Sequence, residues 1–201
     1  MNPKIYLIHD SQRKDRRDLF RKELEEQGID LYELVPADKS TNNPVKNISR
    51  AHKECIRRAQ KEDLPMCVVM EDDVLFPCPG AYNEFLRLSE ILPTEITTAK
   101  WDMLIAGSYD YQLYHNIYKS GPLVPIKRFS GLHCYLVRQK FYDQFLQAPE
   151  GRNLDKTLAG NIWMTYPMMA LQHDGYSDNK KRTTNYNQQY KSRIKLWDCK
   201  K

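Results

Sequence analysis

The sequence predicts an α/β protein, with a mixed, mostly parallel central sheet and flanking helices in one domain over residues 1–201. Three observations predict it. The chain opens in the order strand, helix, strand. A continuous apolar run later ends in three acids, VVMEDDVLF from Val68 to Phe76. Segments of strand and helix character then keep alternating as far as Leu146. A chain of 201 residues is long enough for one sizeable core, and it contains no internal repeat.

Lys4 to Ile8 has the character of a short buried strand. From Asp15 to Gln27, Leu19, Phe20 and Leu24 recur near helical spacing within a charged segment, and Gly28 stops that helix. LYELVPA, Leu31 to Ala37, is the second strand. Lys39 to Asn47 is polar and turn-rich, and Ser49 is expected to cap a helix running through Glu62. Cys67 to Leu75 is the next strand. Pro77, Pro79 and Gly80 break the chain, Tyr82 to Leu92 resumes as a helix, and Trp101 to Gly107 is a strand ending in glycine. Ser108 to Phe129 is tyrosine-rich with short strands. GLHCYLVRQ, beginning at Gly131, is a further strand, followed by a helix from Gln139 to Leu146. Residues 177–201 show little apolar periodicity and are expected to form a basic lid or tail.

Composition narrows the class. Hydrophobic residues at 41% and charged residues at 28% are ordinary globular values, and 13 tyrosines suggest a polar, tyrosine-rich surface. The N-terminal apolar run is too short for a signal-peptide core. No uncharged apolar stretch of about 18 residues is present, which excludes a spanning helix but not peripheral membrane attachment. Five cysteines, none in C-x-x-C spacing, argue against a zinc cluster or disulfide scaffold and for a reducing, cytoplasmic setting, peripheral to the inner membrane at most. The net charge of +5 is concentrated in RKDRR near the N-terminus and in KKR and KSRIK near the C-terminus. That pattern suits anionic partners, from phosphates to membrane surfaces.

The apolar start of the Cys67–Leu75 strand marks it as central, covered on both faces. Its acids Glu71, Asp72 and Asp73 would then stand at the mouth of the ligand crevice, which in open α/β sheets lies beyond the carboxyl ends of the strands. Three adjacent carboxylates repel one another unless a cation neutralises them. A hard divalent ion, bridging carboxylates to substrate phosphates, is the simplest neutraliser. A solvated acidic turn is the bland alternative.

The flanking residues favour the first reading. YLIHDSQRKDRR from Tyr6 to Arg17, ISRAHKECI around Ser49 and His52, MEDDV at Met70 to Val74, GLHCYLVR from Gly131 to Arg138, and LDK at Leu154 to Lys156 follow one another in order. Pro167, Gln172, Ser177 and Asp178 come after them. In this order they resemble glycosyltransferase family 25, which includes lipooligosaccharide and collagen galactosyltransferases. The sequence departs from the family at His9, Asp10, Ser11 and Gln12, and it lacks the glycine-cysteine pair before the serine.

The resemblance implies a GT-A-like, Rossmann-like fold. It also implies an inverting transfer of a hexose, galactose or glucose, from a UDP-sugar to an acceptor hydroxyl, usually with Mn2+ or else Mg2+. The acceptor it suggests is a surface glycan such as lipopolysaccharide. A protein hydroxyl or modified DNA is also compatible, the latter through phosphate contacts of the basic tail. In this reading Asp73 holds the metal with Glu71, Asp72 contacts the donor, and His173 and Asp178 are further metal ligands from a C-terminal segment that folds back. Asp155 is the base that activates the acceptor, with Asp178 as the other carboxylate that could serve.

Arg13, Arg16 and Arg17 follow the first strand, where a nucleotide would lie, with ion pairing at a helix start as the alternative, and the resemblance favours Arg13 and Arg17. His52 could face the donor or only serve the structure. His133 could contact ligand or pack. The tyrosines between Tyr109 and Tyr118 suit sugar stacking as well as ordinary packing. Two other functions compete: a nucleotide-sugar or glycan-binding module without turnover, and a metal-dependent phosphate-ester hydrolase. The first would need no base. The second would need more ligands from several strand ends than stand out here.

Overall fold

The computed structural model describes residues 2–95, 101–114, 121–177 and 180–199. The chain begins with β1 (Lys4–His9), α1 (Lys14–Glu26), β2 (Glu33–Pro36), α2 (Pro44–Lys61) and β3 (Met66–Glu71). Both crossovers return parallel to β1, which pairs with β2 on one side and β3 on the other. The opening predicted from the sequence is therefore the one formed.

After β3 come β4 (Val74–Leu75), α3 (Ala81–Glu95), β5 (Met103–Ile105), β6 (Asp110–Leu113), β7 (Leu123–Ser130), β8 (Cys134–Arg138), α4 (Tyr142–Gln147) and α5 (Leu154–Thr157). The chain closes with β9 (Ile162–Thr165), β10 (Leu171–Gln172), β11 (Gly175–Ser177), β12 (Arg182–Thr184) and α6 (Tyr186–Gln189). The main sheet has eight strands in the order β2-β1-β3-β8-β5-β9-β7-β6. Strands β2, β1, β3, β5, β9 and β6 run one way, and β8 and β7 run against them. This is a mixed α/β sheet in which six of the eight strands run the same way, as the sequence predicted.

Period-two alternation fills both faces of the sheet. Ile5, Leu7, Val68 and Met70 pack with Phe20 and Leu24 of α1 and with Phe85 and Leu88 of α3. Tyr6, Ile8, Cys67 and Val69 pack with Cys55 and Ile56 of α2 and with Tyr142 and Phe145 of α4. The continuous apolar run of β3 is thus explained by burial on both sides. Each large side chain buried there contributes about 1.5–3 kcal/mol.

Several expected boundaries move for identifiable reasons. Ser49 is not a cap: α2 starts earlier, with Pro44 in its first turn and the Asn43 side chain accepting from Lys46 N at 3.2 Å. Ser49 lies fully buried inside that helix. The Cys67–Leu75 segment is two strands, because the chain turns at Asp72 and Asp73. β4 leaves the main sheet to pair antiparallel with β10.

The C-terminal segment is packed rather than a loose tail. β11 and β12 form a hairpin, Tyr186 is buried, Met168 donates to Lys195 O at 2.7 Å, and Trp197 donates to Met168 O at 3.0 Å. This return brings Cys199 beside Cys78, with Cα atoms 6.4 Å apart and joined as a disulfide. The reading of the cysteine spacing as one without disulfides is corrected for this pair, which 121 positions separate in sequence. Cys55, Cys67 and Cys134 are free and buried. Among the described residues no helix is long and apolar enough to cross a membrane.

Candidate active site

Two cavities open where β3 ends. The first, of about 270 Å3, is lined by Asp10, Arg13 and Arg16 from the segment after β1, and by Glu71, Asp72 and Asp73. The second, of about 280 Å3, is lined by Gly131, Asp155, Tyr109, Tyr186 and Tyr190, and again by Glu71. His52, Gln172 and Ser177 also line both, so the cavities are two chambers of one cleft. They lie at the strand end where open α/β sheets bind ligands.

The three acids have three different environments. Glu71, at the last position of β3, lies 2.9 Å from His52 Nε2, while His52 Nδ1 lies 3.0 Å from the Tyr135 hydroxyl. In the tautomer that satisfies both contacts, Tyr135 donates to the ring and the ring donates to Glu71. Burial disfavours the Glu71 charge, but the hydrogen bond from His52 and the nearby charge of Arg16 outweigh it and hold its pKa below the ordinary value.

Asp72 is fully engaged within the protein. Its Oδ2 lies 2.8 Å from His9 Nδ1 and accepts from Asp10 N at 3.3 Å, and its Oδ1 accepts from Arg16 at 2.8 Å. Asp73 is the outlier. Its Oδ2 accepts from Gln172 at 2.7 Å and faces Arg16 Nη1 at 3.0 Å, but its Oδ1 is buried with no hydrogen-bond partner among the described residues. Burial first, and then the neighbouring charge of Glu71, push its pKa up to about 7 against the pull of Arg16. Burial also works against the charge of Arg16, yet Asp73 and Asp72 overcome it and raise its pKa.

Asp155, in the short helix α5, lines the second chamber. Its Oδ2 accepts from Gly131 N at 3.0 Å, and among the described residues no other hydrogen bond reaches the carboxylate. Burial raises its pKa, the Gly131 bond opposes this, and the charge of Glu71 adds to it. Gly131 has φ +103, and a Cβ there would come within 3.0 Å of His133 Nδ1 and 3.1 Å of Tyr109 Cε1. Glycine is needed both for that backbone conformation and for the close approach. His133 is buried behind the cleft, with Nε2 at 3.3 Å from Ala170 O.

The structure therefore brings together Arg13, His52, Glu71, Asp72 and Asp73 in the first chamber and Asp155 in the second. Two candidates fall elsewhere. Arg17 lines neither chamber and lies 3.7 Å from the exposed Asp18. The His173 ring turns to Glu23, at 3.1 Å, and only its backbone N–H reaches Asp73, donating to the carbonyl oxygen at 2.7 Å. Glu23 is committed on its other oxygen to Phe76 N, so this pair braces the turn after β4. Asp178 and Tyr118 lie outside the described residues.

The sequence ranks Arg16 below Arg13 and Arg17 and gives His9 no role, yet both contact Asp72 at 2.8 Å. For Arg16 a signal existed. It shares the i, i+4, i+8 face of α1 with the buried Phe20 and Leu24, which points it at the sheet.

The donor set has a defined capacity for a cation. Among the described residues, no three His, Cys, Asp or Glu side chains are grouped as metal ligands. Asp73 Oδ1 is the one buried carboxylate oxygen of the triplet found without a partner. Asp73 would offer a hard divalent ion one oxygen, and phosphate oxygens and water would have to complete its shell.

No family model matches the sequence, and no curated protein matches it. Among solved structures, the chain is similar to A197 from STIV, with a TM-score of 0.54 at 10% identity over 98% of this chain and 95% of that one. That likeness is one of fold. Looser overlaps include a glycosyltransferase involved in glycosylation of the major capsid of PBCV-1, with TM-score 0.36, 12% identity, and 71% and 63% of the two chains covered. Another is apo UDP-glucose pyrophosphorylase, with TM-score 0.47, 10% identity, and 95% and 82% covered.

Proposed function

We propose that this protein is a glycosyltransferase that moves a sugar from a nucleoside-diphosphate sugar to an acceptor hydroxyl. The observation that carries the reading is the two-chambered cleft. Asp73 and Arg16 stand in one chamber, Asp155 in the other, and Glu71 lines both. A diphosphate needs positive charge and hydrogen-bond donors, which Arg16 and Arg13 supply in the first chamber. A divalent ion, when bound, would add Lewis-acid charge to the departing diphosphate, with Asp73 as the residue that holds it.

The protein's own steps follow from its groups. Asp155, with one carboxylate oxygen not hydrogen-bonded among the described residues, accepts the proton of the acceptor hydroxyl. The freed oxygen forms a bond to the anomeric carbon, the carbon–oxygen bond to the diphosphate breaks, and the electron pair leaves on the phosphate oxygen. A single displacement of this kind inverts the anomeric carbon. Burial raises the Asp155 pKa, which makes it a better base than a surface aspartate. Arg16 balances the charge that grows on the leaving group. UDP as the nucleotide, galactose or glucose as the sugar, and manganese as the ion are favoured by the family resemblance alone.

The test is incubation of the purified protein with a panel of nucleotide-sugars, with manganese and with a chelator, while donor hydrolysis is followed. Manganese-dependent release of nucleoside diphosphate from one donor supports the reading. Absence of both binding and hydrolysis across the panel overturns it.

A further inference from the structure

We infer that the Cys78–Cys199 disulfide is a redox clasp on the cleft: oxidised, it holds the C-terminal return closed along both chambers, and a dithiol reductant releases it. The clasp regulates the site assigned above, so its purpose rests on the transferase reading. Its geometry does not.

The return starts and ends on one short segment. Its first strand, β10, pairs with β4, Leu171 opposite Leu75 and Gln172 opposite Val74. Its far end, Cys199, is bonded to Cys78, just beyond β4. The chain between these two anchors supplies Gln172, Ser177, Lys180, Tyr186 and Tyr190 to the chambers. Tyr186 stacks on Tyr109 with ring centroids 4.6 Å apart and planes inclined by 26°, and Tyr190 lies tilted against the same ring at 5.4 Å. One wall of the second chamber is thus made of tyrosines that the return carries in. At the first chamber, Tyr176 O accepts from Arg16 Nη2 at 3.1 Å, the guanidinium that also faces Asp72 and Asp73.

The two halves of the clasp are held differently. The Cys78 half is fixed to α1: Gln27 Nε2 donates to Cys78 O at 2.8 Å, Gln27 Oε1 accepts from Tyr82 N at 3.0 Å, and Glu23 accepts from Phe76 N at 2.9 Å. Ahead of Cys199, the return is held by the backbone bonds of Met168 with Lys195 and Trp197 and by the exposed pair of Arg193 with Asp110. An exposed ion pair adds little. In the chain-entropy account, cutting a bond that closes a loop of about 30 residues makes local opening of that loop roughly 10²-fold more frequent.

The bond is also placed for exchange. Cys199 is exposed and Cys78 partly so. A thiolate of the dithiol attacks Cys199 Sγ, the sulfur–sulfur bond breaks, and the electron pair leaves on Cys78 Sγ, which takes a proton. The reductant's second thiolate then displaces Cys199 as a thiolate, which is protonated in turn. Two electrons pass to the protein, and the dithiol becomes a disulfide. The other cysteines do not compete. Cys55, Cys67 and Cys134 are buried, and burial pushes the Cys67 thiol up to about 12 and raises the other two, so none offers a thiolate for exchange.

The test is a redox titration of the full chain in dithiothreitol buffers of graded oxidised-to-reduced ratio, with Cys199→Ser as the reference without the bond. Limited digestion by trypsin reports on the return, where Arg182, Lys191 and Arg193 are exposed. Hydrogen exchange at the Glu71 amide reports on the sheet, and stopped-flow release of UDP reports on the cleft. On reduction, cleavage within the return is expected to rise roughly 10²-fold while the Glu71 amide exchanges as before. UDP should leave faster by up to that factor, with the same redox midpoint, and Cys199→Ser should show the reduced behaviour at every ratio. A bond that survives excess dithiothreitol in the native chain, a return equally resistant after complete reduction, a Glu71 amide that opens with the return, or UDP release indifferent to redox state would each overturn the clasp. The titration uses the native chain, so it decides even if Cys199→Ser fails to fold. Digestion needs no ligand. A redox-gated return in a chain that binds no UDP sinks the transferase reading and leaves the clasp, whereas UDP bound and released alike in both redox states sinks the clasp alone.

Discussion

Arg16 Nη1 stands 3.0 Å from Asp73 Oδ2 and, with the same nitrogen, 2.8 Å from Asp72 Oδ1. The cation expected beside the acidic triplet is thus in part a resident arginine. Asp72 and Asp73 are almost fully buried, so removing Arg16 strands two carboxylates in a low-dielectric site. Breaking a buried ion pair from one side typically costs about 3–5 kcal/mol. Arg16→Ala is therefore expected to lower Tm sharply at pH 8 and much less at pH 5, where Asp73 protonates. Arg13→Ala removes a side chain paired with the exposed Asp15 and should lower Tm less than Arg16→Ala. Equal Tm losses for Arg16→Ala at the two pH values would show that the arginine does not balance these charges.

This arrangement shows what the sequence disclosed and what it did not. The parallel opening and the central position of β3 were legible because period and burial follow directly from apolar patterning, and MEDDV stood out because carboxylates at the end of a buried strand are costly. The choice among Arg13, Arg16 and Arg17 depended on helix phase relative to the sheet. Phe20 and Leu24 encode that phase, while motif alignment does not. The expectation of His173 as a metal ligand rests only on the family resemblance, which implies a C-terminal segment that folds back. The chain does return and its backbone N–H reaches the Asp73 carbonyl, but the ring goes to Glu23, which no sequence pattern encodes. The Cys78–Cys199 bond and the tyrosine wall join residues too far apart in sequence for any local pattern to announce them.

Asp73 should impose a pH dependence of unusual sign. Its pKa rises from 3.8 to about 7 on folding, so between those values the folded chain binds more protons than the unfolded one. Stability from this group therefore falls as pH rises through the window, and is fully present only below about 4. Asp73→Asn should remove that slope and raise Tm at pH 8 relative to wild type, by about 2–4 °C for each kcal/mol recovered. The same variant should lose manganese-dependent UDP binding. Thermal scans across pH 4–8 on both proteins check the first half, and calorimetry with UDP and manganese checks the second. An unchanged Tm difference across that range would place the Asp73 pKa outside it.

The disulfide should act on the C-terminal return and not on the sheet. Closing a loop of this length is worth about 4–5 kcal/mol at most in the chain-entropy account. Reduction, or Cys199→Ser, is expected to lower Tm and speed hydrogen exchange at the amides of Met168 and Trp197, which bridge to the return. The Glu71 amide, bonded to His133 O at 3.0 Å in the sheet, should exchange as before. Unchanged exchange at Met168 and Trp197 after complete reduction would mean that packing alone holds the segment.

The assignment of Asp155 separates binding from chemistry most cleanly. Its carboxylate lines the second chamber and is fixed through Oδ2 by Gly131, whereas the groups offered to a diphosphate line the first. Asn in its place keeps an oxygen to accept from Gly131 N, so the fold and the wall around Tyr109 should persist, but an amide cannot take the acceptor proton. UDP affinity and its metal dependence should be unchanged in Asp155→Asn, while transfer should fall by a factor of about 10² or more, the usual worth of general-base catalysis. Because the base must be deprotonated, the wild-type rate should also rise with pH through a pKa above that of an ordinary aspartate, and this limb should vanish in the variant. Isothermal calorimetry with UDP, and initial rates once an acceptor is found, make the comparison. Transfer within a few-fold of wild type would remove Asp155 from the role of base.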